Sequence, residues 1–151
     1  MAEQNQVPVN TPDVFGAPEV SGSGGTMTVI DSVASAPHTD PSRSRPGVRR
    51  QLQGDGANVI LMNFAPGQCL DDHKAAHPIL VQCTQGRLLF TCGDDVVEMG
   101  PGVVLHLTSH LTHRVDCPAD APEKNVLILT MLTGERHQRP QLSAPDFPKE
   151  R

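Results

Sequence analysis

"RLLFTCGDDVVEM", residues 87–99, decides the fold class. Two short runs rich in Leu, Val, Phe and Thr flank Gly93 and Asp94, residue types that accept tight-turn backbone. Such a pattern predicts an antiparallel hairpin. The same rhythm continues outward on both sides. "ANVILMNF" (57–64), "PILVQCTQ" (78–85), "GVVLHL" (102–107) and "NVLILTML" (125–132) are apolar runs of strand length. "APGQ", "QGR", "GPG" and "CPADAPEK" separate them with turn chemistry. No segment keeps a helical period for more than two turns. An all-β antiparallel sandwich or barrel over 48–133 is the expected architecture.

The flanks differ. Residues 1–47 are predicted to be a mostly disordered N-terminal segment, broken by Pro8, Pro12, Pro18, Pro37, Pro41 and Pro46 and carrying "SGSGG" at 21–25. "TMTVIDSV" (26–33) is the exception, a short expected strand. Residues 134–151 hold Pro140, Pro145 and Pro148 and are predicted to form a flexible C-terminal tail.

Charge narrows the function classes. The chain has 151 residues, 12 Lys+Arg against 17 Asp+Glu, and a formal net charge of -5. A nucleic-acid binder would present a basic face. The basic cluster Arg43, Arg45, Arg49 and Arg50 has no reading motif beside it and is read as solvated linker, so no nucleic-acid partner is expected. No run approaches the ~20 apolar residues of a membrane helix, so no membrane partner is expected either. "MAEQNQVPVNTPDVFG" at the N-terminus lacks a basic n-region and an apolar run, as a secretory signal would not. A cytoplasmic location is therefore expected. Cys69, Cys83, Cys92 and Cys117 form no C-x-x-C pair and are expected to be free thiols.

Histidines carry the chemistry that remains. His73 and His77 are four apart, but Lys74, Ala75 and Ala76 lie between them, so the Glu of a helical H-E-x-x-H zinc motif is missing. In an extended strand the two would sit about 13 Å apart, at ~3.3 Å per residue. One ion reaches both only if the chain bends before Pro78. A second cluster holds His106, His110 and His113.

Glycines and histidines together resemble the cupin superfamily, small jelly-roll barrels with two motifs. The first, G-x5-H-x-H-x3-E-x6-G, maps onto Gly67, His73, position 75, position 79 and Gly86. The second, G-x5-P-x-G-x2-H-x3-N, maps onto Gly102, Thr108, His110, His113 and Cys117. Gly67, His73, Gly86, Gly102 and His113 match. Within the superfamily the chain is similar to short single-domain bacterial members with a degenerate metal motif. Ala75 and Ile79 stand where metal-binding cupins place His and Glu, and His110 stands where the second motif has a turn Gly.

Two function classes follow from the resemblance. In the first, the barrel binds a small molecule, and no strong sign of catalysis accompanies it. Its lining by strand alternation would be Ile79, Val81 and Cys83, with His73 and His113 at the mouth. In the second, the protein is a metal-dependent enzyme of dioxygenase or isomerase type. His73 and His113, completed by His77 or His110, would then hold Zn, Fe, Mn or Ni. The absent ligands at Ala75 and Ile79 favour the first class. No nucleophile with an orienting base stands out. Small β domains are marginal alone, and cupins commonly pair through sheet edges, so a homodimer is expected.

Overall fold

The computed structural model describes residues 8–9, 19–20 and 25–134. The described residues contain no helix. A two-residue pair, β1 (Pro8–Val9) with β2 (Glu19–Val20), precedes the main body. The strands that follow are β3 (Gly47–Gln53), β4 (Gly56–Phe64), β5 (Cys69–His73), β6 (Ile79–Gln85), β7 (Leu88–Cys92), β8 (Asp95–Met99), β9 (Val104–Leu107), β10 (His113–Asp116) and β11 (Asn125–Gly134). They build a five-stranded sheet in the order β3-β4-β11-β6-β9 and a four-stranded sheet in the order β5-β10-β7-β8. Every pairing is antiparallel.

The two inner faces form one core. β6 alternates strictly at its start, burying Ile79, Val81 and Cys83. From the opposite sheet Leu88, Phe90, Met99 and Val115 meet them, and Leu127 and Leu129 of β11 complete the layer. This alternation is what strand geometry demands of a sheet with one wet face.

The hairpin forms as its sequence predicts. Leu88 pairs with Met99, Phe90 with Val97 and Cys92 with Asp95, across a two-residue turn. Gly93 has φ 62° there, the positive value a hairpin turn of the primed type needs. A second glycine is set by space as well as by dihedral. Gly86 has φ 85°, and a Cβ on it would overlap the side-chain oxygen of Asn125. Asn125 is fully buried and holds this corner together. Its oxygen accepts from the Arg87 N–H at 2.8 Å, and its amide donates to the carbonyls of Phe64 (3.0 Å) and Pro122 (2.7 Å).

"TMTVIDSV" is not a strand. The Asp31 carboxylate accepts from the N–H groups of Val33 and Ala34, and the chain turns at 32–35. Local side-chain bonds of this kind compete with ladder formation. Residues 31–46 then run as a strap along the barrel, where a disordered segment was expected. Ser32 donates to Thr84, Asn63 donates to the Pro37 carbonyl, and Arg49 to that of Ser35. The Gln68 amide donates to the carbonyls of Asp40 (2.9 Å) and Arg43 (3.1 Å), and the Cys69 N–H donates to Ser44. Pro37 and Pro46 of this strap are themselves buried.

Candidate functional site

β5 ends at His73 and β10 begins at His113, and the antiparallel register sets these residues opposite each other. Their ring centroids are 4.2 Å apart, edge to face at 64°. His113 points into the core. It is only 2% exposed, and its ring stacks on Phe90 at 5.2 Å. His73 is partly buried at the rim.

Each ring is held by one backbone carbonyl. His113 Nδ1 lies 2.9 Å from the Leu111 oxygen, and His73 Nδ1 lies 2.6 Å from that of Asp71. A carbonyl only accepts, so both Nδ1 atoms carry hydrogen, and in each neutral ring Nε2 keeps its lone pair. His113 Nε2 is buried and has no hydrogen-bond partner among the described residues. Burial pushes the His113 pKa down against the bond to Leu111, and the neighbouring His73 lowers it further. His113 is thus a neutral, oriented, unfilled acceptor. A buried acceptor left unfilled costs about 1–3 kcal/mol, so the site is poised for a donor or an ion.

The other histidines are placed differently. His77 is exposed in the 74–78 loop, and His106 is exposed on β9 opposite Leu80. His110 is exposed as well, with φ 67°, at the turn where the motif has Gly. Its N–H donates to the Ala75 carbonyl at 2.7 Å, tying the β9–β10 turn to the β5–β6 loop. Among the described residues no three His, Cys, Asp or Glu side chains group to hold a metal ion. Ala75 packs against the core and Ile79 is buried in it, so neither position offers a donor atom. The pair His73–His113 provides two nitrogens with fixed tautomers, as metal-ligating imidazoles have. Two donors fall short of the three that catalytic sites generally take, so the residues present do not fit a complete metal centre.

Ile79, Val81 and Cys83 sit in the same packed core as Phe90, contributed from the opposite sheet. Burial pushes the Cys83 thiol up, and that of Cys117 to about 11. Neither is a nucleophile near neutral pH.

Open space lies beside His73. A cleft of about 280 Å³ runs between Ser44 and Arg45 of the strap and β5 from Cys69 to His73. Its walls are mostly polar. Asp71 lies 3.7 Å from Arg114, which is itself held at 2.8 Å by Asp116. Cys69 donates to Asp71, and burial followed by that bond raises its pKa. Arg45 and Asp72 have no hydrogen-bond or ion-pair partner among the described residues. Sequence reasoning missed the cleft because it joins two segments distant in the chain; the bond from Cys69 to Ser44 that closes it leaves no local signature.

Neither a protein-family model nor a curated protein matches the sequence. Solved structures do match. The chain is similar to a cupin superfamily protein from Desulfitobacterium hafniense (15% identity, 76% of this chain and 97% of that one, TM-score 0.56). It is similar to an uncharacterized conserved protein with a double-stranded β-helix domain from Klebsiella pneumoniae (16%, 72% and 92%, TM-score 0.59). An RmlC-like cupin protein from Desulfovibrio desulfuricans aligns at 19% identity over 70% of this chain and 97% of that one, TM-score 0.58. The five matched motif points, the two antiparallel sheets and these neighbours agree: the chain is a small protein of the cupin fold.

Proposed function

We propose that the protein binds a small molecule at the His73–His113 pair. One observation carries this: the buried, unpartnered Nε2 of His113, fixed as an acceptor by the bond from Nδ1 to Leu111. A ligand N–H or O–H would fill it. Phe90 and the core residues Ile79, Val81 and Cys83 would form the apolar wall behind, leaving His73 and His113 as the polar anchors. Sites with few polar groups on an apolar wall are the usual form for small-molecule binding. From the free thiols and the small domain size we infer a cytoplasmic homodimer.

The second candidate is a metal-dependent enzyme of dioxygenase or isomerase type, holding Zn, Fe, Mn or Ni on His73, His113 and either His77 or His110. The fixed Nδ1–H tautomers favour it; the absence of a third grouped donor disfavours it. Elemental analysis of untagged protein and an imidazole 15N NMR screen decide between them. Substoichiometric metal, and a small molecule that shifts His113 Nε2 in a saturable way, is the expected result. One equivalent of a first-row metal, removed by chelator with a fall in melting temperature, overturns it.

A further inference from the structure

We propose that the small molecule is a zwitterion of amino-acid size, received between Arg45 and Asp72 in the cleft that ends at His73. This rests on the function proposed above and adds the chemical class of the ligand.

The cleft presents one cation and one anion that do not satisfy each other. Arg45 comes from the strap and Asp72 from β5; both line the same space, yet they form no ion pair. The other carboxylate, Asp71, is already engaged by Arg114 and Cys69. A ligand with a single charge would answer only one of the two free groups. A molecule bearing an ammonium and a carboxylate answers both. Its carboxylate would take the forked guanidinium of Arg45, the geometry that favours carboxylates, with the Ser44 hydroxyl at hand. Its ammonium has three N–H donors. One suits Asp72 and another suits His73 Nε2, whose lone pair is left free by the bond from Nδ1 to Asp71. His73 in turn stands in ring contact with His113. Size allows it: about 280 Å³, roughly nine water volumes of ~30 Å³, holds a small free amino acid with room to spare.

The test uses the untagged full chain and imidazole NMR of His73 and His113. The probes are glycine, alanine and serine, each against acetate, methylamine and the amino acid's methyl ester. The expected result is saturable binding of the amino acids at least tenfold tighter than acetate or methylamine. Arg45→Gln removes the preference for amino acid over methyl ester. Asp72→Asn weakens binding at least tenfold. Both side chains are exposed, and an unchanged melting temperature shows that the variants fold. Equal response to acetate, methylamine and amino acids, or indifference to Arg45→Gln and Asp72→Asn, overturns the zwitterion. If another class of compound still saturates the histidine signals, the function proposed above survives that result. If no probe and no metal perturbs either histidine, both fall.

Discussion

Replacing His113 with Phe tests whether its ring is kept for binding rather than for packing. The wild-type ring is 98% buried, stacks on Phe90 at 5.2 Å, and leaves Nε2 unfilled. Phe keeps the ring and removes that acceptor, relieving about 1–3 kcal/mol. It also removes the donor that serves the Leu111 carbonyl, a loss of about 1 kcal/mol. His113→Phe is therefore expected to be neutral to about 2 kcal/mol more stable at pH 7.5. His113→Ala empties the same space and is expected to lose about 2–4 kcal/mol. The pH dependence gives an independent sign. Burial first, and then His73, depress the pKa of His113 in the folded state. Between the unfolded value of 6.5 and the lower folded value, the unfolded chain binds more protons. The contribution from a neutral His113 is thus fully present above about pH 6.5 and is lost as pH falls toward the folded pKa. Urea midpoints for wild type, His113→Phe and His113→Ala at pH 7.5 and 5.5 measure all of this. The wild type should weaken at pH 5.5 more than His113→Phe does. If His113→Phe loses as much stability at pH 7.5 as His113→Ala, the imidazole nitrogens are satisfied in the folded protein and the site is structural.

Other perturbations follow from single contacts. Asn125→Ala strips three hydrogen bonds from a fully buried corner, and should cost about 3–5 kcal/mol in chemical denaturation. Gly86→Ala should fail to fold stably, because its φ is positive and its Cβ would meet the Asn125 side chain; circular dichroism melting shows it. His110→Gly should gain up to ~1 kcal/mol, since a non-glycine residue in the left-handed region costs about 1–2 kcal/mol, with a raised melting temperature as the readout. Gln68→Ala should release the strap from Asp40 and Arg43, read as faster amide exchange across 39–45 while the β7–β8 hairpin stays protected.

The barrel was legible where a strand announces itself through its own side chains. Ile79, Val81 and Cys83 alternate, and Gly93 marks its turn, so β4, β6, the β7–β8 hairpin and β11 could be read directly. β3, "GVRRQLQ", could not: it is an edge strand whose polar residues face water, and its conformation comes from pairing with β4. β10, "HRVD", is too short to show a period and owes its place to β5 and β7. The meeting of His73 and His113 was readable because the motif spacing encodes the register. The companions expected for them were not gathered. His77 and His110 lie on loops whose paths depend on a backbone bond from His110 to Ala75, and a backbone bond leaves no mark on residue type. The strap was missed for a related reason. Proline and serine read as loose chain, whereas the groups that hold it belong to distant Asn63, Gln68 and Lys124.

That asymmetry in the strap has a consequence for how the chain can change over time. The barrel's side chains do the reaching, and mostly peptide oxygens receive: Pro37, Asp40, Arg43, Ser35 and Val33 each offer a carbonyl to Asn63, Gln68, Arg49 or Lys124. Every amino acid has a carbonyl. Most strap positions can therefore drift in identity without loosening the attachment, while a single change at Gln68 severs three anchors at once, to Thr39, Asp40 and Arg43. Fixity of the segment and freedom of its sequence coexist, and Arg45 is free to be exchanged for residues that retune the cleft without disturbing the barrel that displays it.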